Sequence, residues 1–329
     1  MSWWDAEVRA AQVTRLDGPD AVEIVDIPEP EPSADALIVD VEAAGLAFPE
    51  VLMTRGQYQI KPAIPFTLGA EVGGVVRDAP AGSGFAPGDR IAGLCFQGGF
   101  AEVARVPLTS AFKLPDAITT EQGAGLLFND LTVHFVLAKR ARLAPGESVL
   151  VHGAAGGIGV SVLRLAPALG AGRVIAVVSD ERKAELARSL GASDVVLVDG
   201  WRDAVKETTG GKGVDIVVDP VGGDRFTDSL RSLAPGGRLA VVGFTAGEIP
   251  TVQVNRLLLN NIEVIGAGWG AWFLSHPGYL QEQWAEVEPL LAAGKIPPLP
   301  VTSYPLEQAA EALLAMDRRE VAGKVVIRP

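Results

Sequence analysis

Apolar positions follow two different rhythms along this chain. Over the first third they form short β-rich runs, at 6–16, 21–27, 36–44, 71–77, 89–94 and 100–106. Turn signals such as Asp17-Gly18-Pro19 and Pro28-Glu29-Pro30 separate them. Closely spaced strands with Pro and Gly punctuation predict a small antiparallel β-barrel. From Thr119 the pattern turns helical, and Thr119-Thr120-Glu121-Gln122 fits a capped helix start. Beyond it, strands at 149–151, 174–178, 213–220 and 238–243 alternate with helices at 158–169 and 226–233, and 257–265 passes from helix to strand. That alternation predicts a parallel, doubly wound sheet. Helices at 282–293 and 306–316 flank a Pro-rich crossing at 297–300, and a strand at 324–327 returns to the first domain. The expected class is α/β: a β-barrel domain at 1–125, a Rossmann-type doubly wound domain at 126–266, and a return segment at 267–329.

The most specific local signal lies within 148–192. Val149-Leu150-Val151 is ended by Gly153, and the turn from Gly153 to Gly159 opens a helix that leads to a second strand. In a βαβ unit such a turn brings backbone N–H groups and the positive end of a helix dipole to a pyrophosphate. The strict pattern has glycine at three positions; here it reads Ala154-x-Gly156-x-x-Gly159. The strand before it, the helix after it and the second strand at the right distance favour a dinucleotide site over an accidental turn. Ala155, Gly156, Gly157 and Ile158 are the expected contacts, with Gly159 letting helix and strand pack closely. The second strand ends Val177-Val178-Ser179, so Val178 stands where an NAD site would carry a ribose-binding carboxylate. Ser179, Arg182 and Lys183 are donors suited to a 2′-phosphate, so NADPH is expected rather than NADH. Asp180 and Glu181 act against that choice, and a bland reading makes Arg182 and Lys183 solvated helix positions. Pro167 falls inside the predicted helix at a cost of about 3 kcal/mol, which predicts a kink or an early end near 163–165.

Composition narrows the partners. The 329 residues are 48% hydrophobic, enough for two domains with substantial cores. No apolar run reaches the roughly 18–20 residues that span a bilayer. A net charge of −12 argues against nucleic acid or an anionic membrane as the main partner. The opening MSWWDAEVRA has no basic start followed by an apolar core, so no secretory signal is expected. One cysteine, Cys95, excludes disulfides within the chain and Cys-rich metal sites, and a reducing cytoplasm fits.

Taken together, Gly56-Gln57-Tyr58, Gly69-Ala70-Glu71-Val72-Gly73-Gly74, Pro87-Gly88-Asp89-Arg90, the turn from His152 to Gly159, Asp219-Pro220-Val221-Gly222-Gly223 and Gly323-Lys324-Val325-Val326 carry a resemblance. The chain resembles the medium-chain dehydrogenase/reductase superfamily, in its zinc-free quinone oxidoreductase branch, over essentially its whole length. The resemblance implies that the barrel is GroES-like. Where alcohol dehydrogenases of that superfamily hold a catalytic zinc, the positions matching the first two ligands are Ala47 and Ala70, neither able to bind metal. The four-cysteine zinc lobe is absent too, so no metal is expected. Quinone reductases usually read Asn-x-x-Asp where this chain has Ala47-Phe48-Pro49-Glu50.

The resemblance further implies hydride transfer from NADPH to a quinone or an α,β-unsaturated carbonyl. Negative charge then develops on the substrate oxygen and needs a hydrogen bond or a proton. Tyr58, Thr132 and Asn129 are the candidate catalytic residues, with His134 on the same segment as Asn129. Each has a plainer reading: Tyr58 as a packing residue, His134 as a satisfied core histidine, Glu71 as a buried carboxylate paired with a cation, and Cys95 as a small core residue. Trp269 and Trp272 could line the substrate site or fill an interface. Val221, Gly243, Phe244, Gly266 and Gly268 are candidate cofactor contacts at strand ends, and Lys324 could reach a phosphate. The rivals are an enoyl-thioester (acyl-CoA) reductase of the same superfamily and a non-catalytic NADPH-binding sensor or structural protein. Family members commonly pair edge strands, so a homodimer through the terminal Rossmann strand near Val264 is expected.

Overall fold

In the computed structural model residues 6–329 are described. Residues 1–5, which open both the first domain and the stretch read for a leader, lie outside the described residues. The chain forms two compact units. One comprises the described chain up to Phe128 with Leu280–Gly294 and Pro298–Pro329; the other comprises Asn129–Tyr279 with Lys295–Pro297. The stretch 267–279, expected in the return segment, therefore belongs to the second unit, and the first of the chain's passages between the units falls inside the helix Leu126–His134.

Most strands of the first unit are short because its sequence turns at Pro and Gly. Strands β1 (Glu7–Val13) and β2 (Val22–Pro28) form an antiparallel pair. After β3 (Ala36–Leu46) comes a short helix, α1 (Phe48–Met53), that the apolar pattern did not predict. Then follow β4 (Phe66–Thr67), β5 (Glu71–Asp78), β6 (Arg90–Leu94), β7 (Val103–Pro107) and β8 (Ala111–Lys113). Strand β4 joins β1 in a small sheet, and β3, β5, β6 and β8 run side by side in a larger one, with β7 on β3. Apolar residues from β3, β5, β6 and β7, among them Val39, Val72, Ile91 and Val106, fill the barrel core. Helix α2 (Thr120–Gly123) starts as predicted: Thr119 Oγ1 accepts from Gln122 N at 3.1 Å, and Gln122 Oε1 accepts from Thr119 N at 3.0 Å.

Helix α3 (Leu126–His134) leads into the second unit. There β9 (Ser148–His152), α4 (Gly157–Ala168), β10 (Arg173–Val178), α5 (Glu181–Ser189), β11 (Asp194–Leu197), α6 (Trp201–Thr208), β12 (Val214–Asp219), α7 (Phe226–Arg231), β13 (Leu233–Val241), α8 (Asn255–Asn260) and β14 (Glu263–Gly266) alternate. The six strands are parallel in the order β11-β10-β9-β12-β13-β14. This is the Rossmann order, with its switch point between β9 and β12. Leu233, expected in a helix, begins β13, and the register slips by a bulge where the Pro235-Gly236-Gly237 turn signal falls.

Helix α4 corrects the expectation for Pro167. It runs on to Ala168, one residue past Pro167, so it does not end near 163–165; the proline removes the one N–H that would have bonded Leu163 O. Beyond β14 come α9 (Trp269–Leu274), α10 (Tyr279–Ala292), β15 (Val301–Pro305), α11 (Ala309–Asp317) and β16 (Lys324–Arg328). Strand β16 pairs antiparallel with β3, so the chain's last strand belongs to the sheet of the first unit.

Candidate active site

The nucleotide half begins at the turn after β9. Gly153 takes the left-handed conformation, at φ +60°, so the residue that needs glycine here precedes Ala154. Ala154 N donates to Val177 O at 3.1 Å, which fastens the turn to β10. A Cβ on Gly159 would stand 2.4 Å from Ala154 Cα, so glycine alone allows this helix to pack on this strand. Gly156 precedes α4 and supplies no side-chain cap, so the first amides of a 12-residue helix are left without one. Around them Ala155 is buried, Gly156 exposed and Gly157 and Ile158 half-buried.

A Cβ on Gly157 would fall 2.3 Å from Asn129 Nδ2, so the α3 asparagine occupies the space beside the first residue of α4. Thr132 and His134 are buried one turn further along the same helix.

At the end of β10 two of the three expected donors, Ser179 and Lys183, meet a carboxylate. Asp180 caps α5, its Oδ1 accepting from Lys183 N at 3.0 Å. Ser179 Oγ donates to Asp180 Oδ2 at 2.8 Å, and Lys183 Nζ donates to Ser179 Oγ at 3.0 Å. Those bonds hold the Asp180 carboxyl below its ordinary range, the Lys183 amide having the largest effect. Arg182 lies exposed in the first turn of α5.

The loop after β12 meets the same turn. Asp219 Oδ1 accepts from Val221 N and Gly222 N, both at 2.9 Å, and Val221 lies 3.4 Å from where a Cβ on Gly153 would be. Thr245 N and Ala246 N donate to Pro220 O and Val221 O, which ties the segment of Gly243 and Phe244 to this loop. Gly266 ends β14 with nothing within 4 Å of its absent Cβ, and Gly268 is nearly as open. Because the sheet is parallel, the turn at 153–159, Ser179, Val221, Gly243 and Gly266 all follow the C-terminal ends of their strands, where such sheets bind ligands. Sequence reading passed over Asp219 and His152 as chemistry. Asp219 is 1% exposed, its Oδ2 has no partner, and burial pushes its carboxyl up.

The first unit carries a second group of polar residues. Glu71 Oε1 and Lys324 Nζ pair at 2.6 Å with both side chains buried. Glu71 is the paired core carboxylate that its plainer reading described. Lys324, expected to reach a phosphate, is instead committed to Glu71, because a buried ammonium needs its carboxylate close by. Glu50 is 2% exposed; its Oε2 accepts from Ala47 N at 3.0 Å and its Oε1 from Ala70 N at 3.2 Å. Burial pushes its carboxyl up to about 7, Lys324 pulling the other way. Tyr58, in the segment after α1, is half-buried against the barrel core, and burial with the charge of Glu50 raises its phenol. Cys95 donates to Gly69 O at 3.3 Å, and burial pushes its thiol up to about 12, so it is no nucleophile.

Trp269 is buried in the second unit, and Trp272 stacks on His276 at 3.9 Å between ring centres. Among the described residues no group of three or more His, Cys, Asp or Glu is arranged to hold a metal ion.

This architecture defines an oxidoreductase with a GroES-like domain and a Rossmann domain. A family model described as "Alcohol dehydrogenase GroES-like domain" matches residues 33–116, and one described as "Zinc-binding dehydrogenase" matches 157–293. The rat protein named quinone oxidoreductase-like protein 2 is 36% identical over 97% of this chain and 91% of its own. A probable oxidoreductase from Mycobacterium abscessus superposes with a TM-score of 0.90 at 41% identity, covering 98% of this chain and 99% of that one. A mycobacterial protein solved in complex with NADPH gives 0.88 at 33% identity, covering 98% and 100%. The chain belongs to the medium-chain dehydrogenase/reductase superfamily, in the zinc-independent quinone oxidoreductase branch.

Proposed function

We propose that this protein is an NADPH-dependent reductase of quinones or α,β-unsaturated carbonyls. The observation that carries the reading is the glycine turn between β9 and α4, whose helix amides lack a side-chain cap, together with Ser179 and Lys183 at the end of β10. The donor set fits a dinucleotide with a 2′-phosphate. The amides after Gly156 would hold the pyrophosphate, while Ser179, Arg182 and Lys183 would hold the 2′-phosphate, with Ser179 and Lys183 exchanging Asp180 for it. The relative solved with NADPH supports the same choice.

Bound NADPH would supply the hydride. The protein's own part is to orient and to stabilise charge. Asn129 braces the phosphate turn, Thr132 on the same helix would orient the nicotinamide, and backbone groups at Val221, Gly243, Phe244, Gly266 and Gly268 would hold the rest of the cofactor. Tyr58 would donate its phenolic hydrogen to the substrate oxygen as negative charge develops there.

The test is oxidation of NADPH and of NADH by 1,4-benzoquinone, 9,10-phenanthrenequinone and a simple enone. Turnover preferring NADPH supports the reading; equal rates overturn the cofactor preference alone. NADPH binding without turnover on any acceptor favours the non-catalytic rival, and turnover only with an enoyl thioester favours the acyl-CoA one.

We also propose a homodimer in which β14, the end strand of the six-stranded sheet, pairs with its copy. Glu263 and Gly266 are exposed on it, and Leu258 and Leu259 of the preceding helix are 76% and 75% exposed. Sedimentation as a monomer at micromolar concentration would refute it. A reducing compartment such as the cytoplasm suits the single cysteine. Among the described residues no helix is long and apolar enough to cross a membrane.

A further inference from the structure

We propose that Asp219 is a positioning residue for cofactor binding: it holds the loop after β12, and through that loop it places Val221 against the glycine turn between β9 and α4. The proposal rests on the reading above, in which that turn meets NADPH, and it adds the residue that keeps the turn's neighbours in place.

Asp219 is the last residue of β12, and the chain leaves the sheet directly after it. Pro220 has no N–H to give, and Gly222 and Gly223 both take the left-handed conformation, at φ +68°. No strand ladder fixes such a loop. Its two free amides, Val221 N and Gly222 N, instead both donate to Asp219 Oδ1 at 2.9 Å. Asp219 is itself anchored, because its carbonyl oxygen accepts from Val242 N at 2.9 Å. One side-chain oxygen thus sets the direction of two successive peptide groups.

The loop passes that direction on to two other strand ends. Val221 Cγ2 lies 3.4 Å from where a Cβ on Gly153 would stand, so its side chain covers the left-handed residue of the glycine turn. Pro220 O and Val221 O accept from Thr245 N at 3.1 Å and Ala246 N at 3.0 Å, which fastens the segment after β13. Phe244 Cδ1 would be 3.0 Å from a Cβ on Gly222, so that ring packs directly over the loop. Without the Asp219 oxygen the loop loses both of its internal bonds, and these three contacts lose their common support.

The geometry asks for an acceptor and not for a charge. Asp219 is 1% exposed, and its Oδ2 has no hydrogen-bond partner among the described residues. The positioning is therefore done by Oδ1, and an asparagine, which carries the same acceptor oxygen, should replace it. Alanine should not.

The first test needs no cofactor, so it stands apart from any failure of the reductase reading. Amide hydrogen exchange of the full-length protein is followed by NMR. Val221 and Gly222 are expected to exchange about tenfold faster in Asp219→Ala than in wild type, with Thr245 and Ala246 following, and to stay near the wild-type rates in Asp219→Asn. Equal protection in Asp219→Ala and wild type overturns the proposal. If Asp219→Ala does not fold, the wild type decides. Protection of Val221 and Gly222 alongside the amides of β12 supports the proposal, and exchange at open-loop rates overturns it. The second test is titration with NADPH, followed by nicotinamide fluorescence well below each variant's thermal midpoint. Asp219→Ala should lose about tenfold in affinity and Asp219→Asn little. Val221→Ala, which keeps both Asp219 bonds, should lose part of that, and Asp219→Ala/Val221→Ala should lose no more than Asp219→Ala alone. An Asp219 that only stabilises the fold would lower the thermal midpoint and leave the affinity of the folded protein unchanged. That result, or fully additive losses, overturns the proposal. If wild type binds no dinucleotide, the cofactor reading fails and the exchange measurement still decides what Asp219 holds.

Discussion

Glu71 and Lys324 lie 253 positions apart in the chain and form an ion pair of 2.6 Å with each side chain only 1% exposed. Their meeting joins β5 to the last strand of the chain through the middle of the barrel sheet. Losing one partner strands the other without compensation. Lys324→Met is therefore expected to destabilise the fold by about 3–5 kcal/mol. The double variant Glu71→Gln/Lys324→Met should recover much of that loss, as read by urea denaturation of the two proteins side by side.

The glycines of the phosphate turn do different work, and substitutions should separate them. Gly156→Ala meets only Gly153 O at 3.4 Å, so stability should hold while the added methyl stands where the phosphates approach. Gly157→Ala must push Asn129 out of its place. NADPH affinity should fall at least tenfold, about 1.4 kcal/mol, in both variants by calorimetric titration. Only Gly157→Ala should also lower the thermal midpoint.

Lys183 should discriminate between the two nicotinamide cofactors. Its ammonium lies beside Ser179 at 3.0 Å, where a 2′-phosphate would add a charge-assisted bond. Lys183→Ala is expected to cost about 1.5–3 kcal/mol of NADPH binding and to leave NADH affinity nearly unchanged. Equal losses for both cofactors would place Lys183 outside the 2′-phosphate site.

His152 gives the fold an acid limit. Its Nε2 bonds Ser229 Oγ of α7 at 2.8 Å, and burial, helped by Arg225, depresses the imidazole from 6.5 to about 3. The unfolded chain thus takes up this proton first as pH falls. Stability should be lost progressively from pH 6.5 toward pH 3. His152→Gln should flatten that limb in urea midpoints measured across pH.

Glu50 should act in the opposite direction. Its folded value, about 7, lies above the ordinary 4.5, so the folded state holds this proton more tightly than the unfolded chain. Its contribution is complete below pH 4.5 and is lost as pH rises through 7. Glu50→Gln should remove that decline, and urea midpoints of the two proteins between pH 5 and pH 8 should converge at the acid end.

Much of the architecture was legible from local chemistry. The turn from Gly153 to Gly159 is a strand, a left-handed glycine and a helix start within a few residues, and nothing distant is needed to read it. The same holds for the capping box at Thr119 and for the alternation that became the parallel sheet. Pro167 does not end α4 a turn earlier because the cost of one lost bond is outweighed by the packing of a helix whose residues 159–166 are all buried. Helix α1 was missed because six residues are too few to show a period.

The sequence by itself determined the fold class and the glycine turn between β9 and α4, since period, turn residues and glycine spacing act over neighbouring residues. Tertiary structure alone decided which charged groups meet. It put Lys324 on Glu71 rather than on a phosphate, placed Asn129 in the space left by Gly157, and set Glu50 between the amides of Ala47 and Ala70. The reason is physical. Burial and charge depend on what strands from distant parts of the chain bring together, and no local pattern records which carboxyl will be left without a cation.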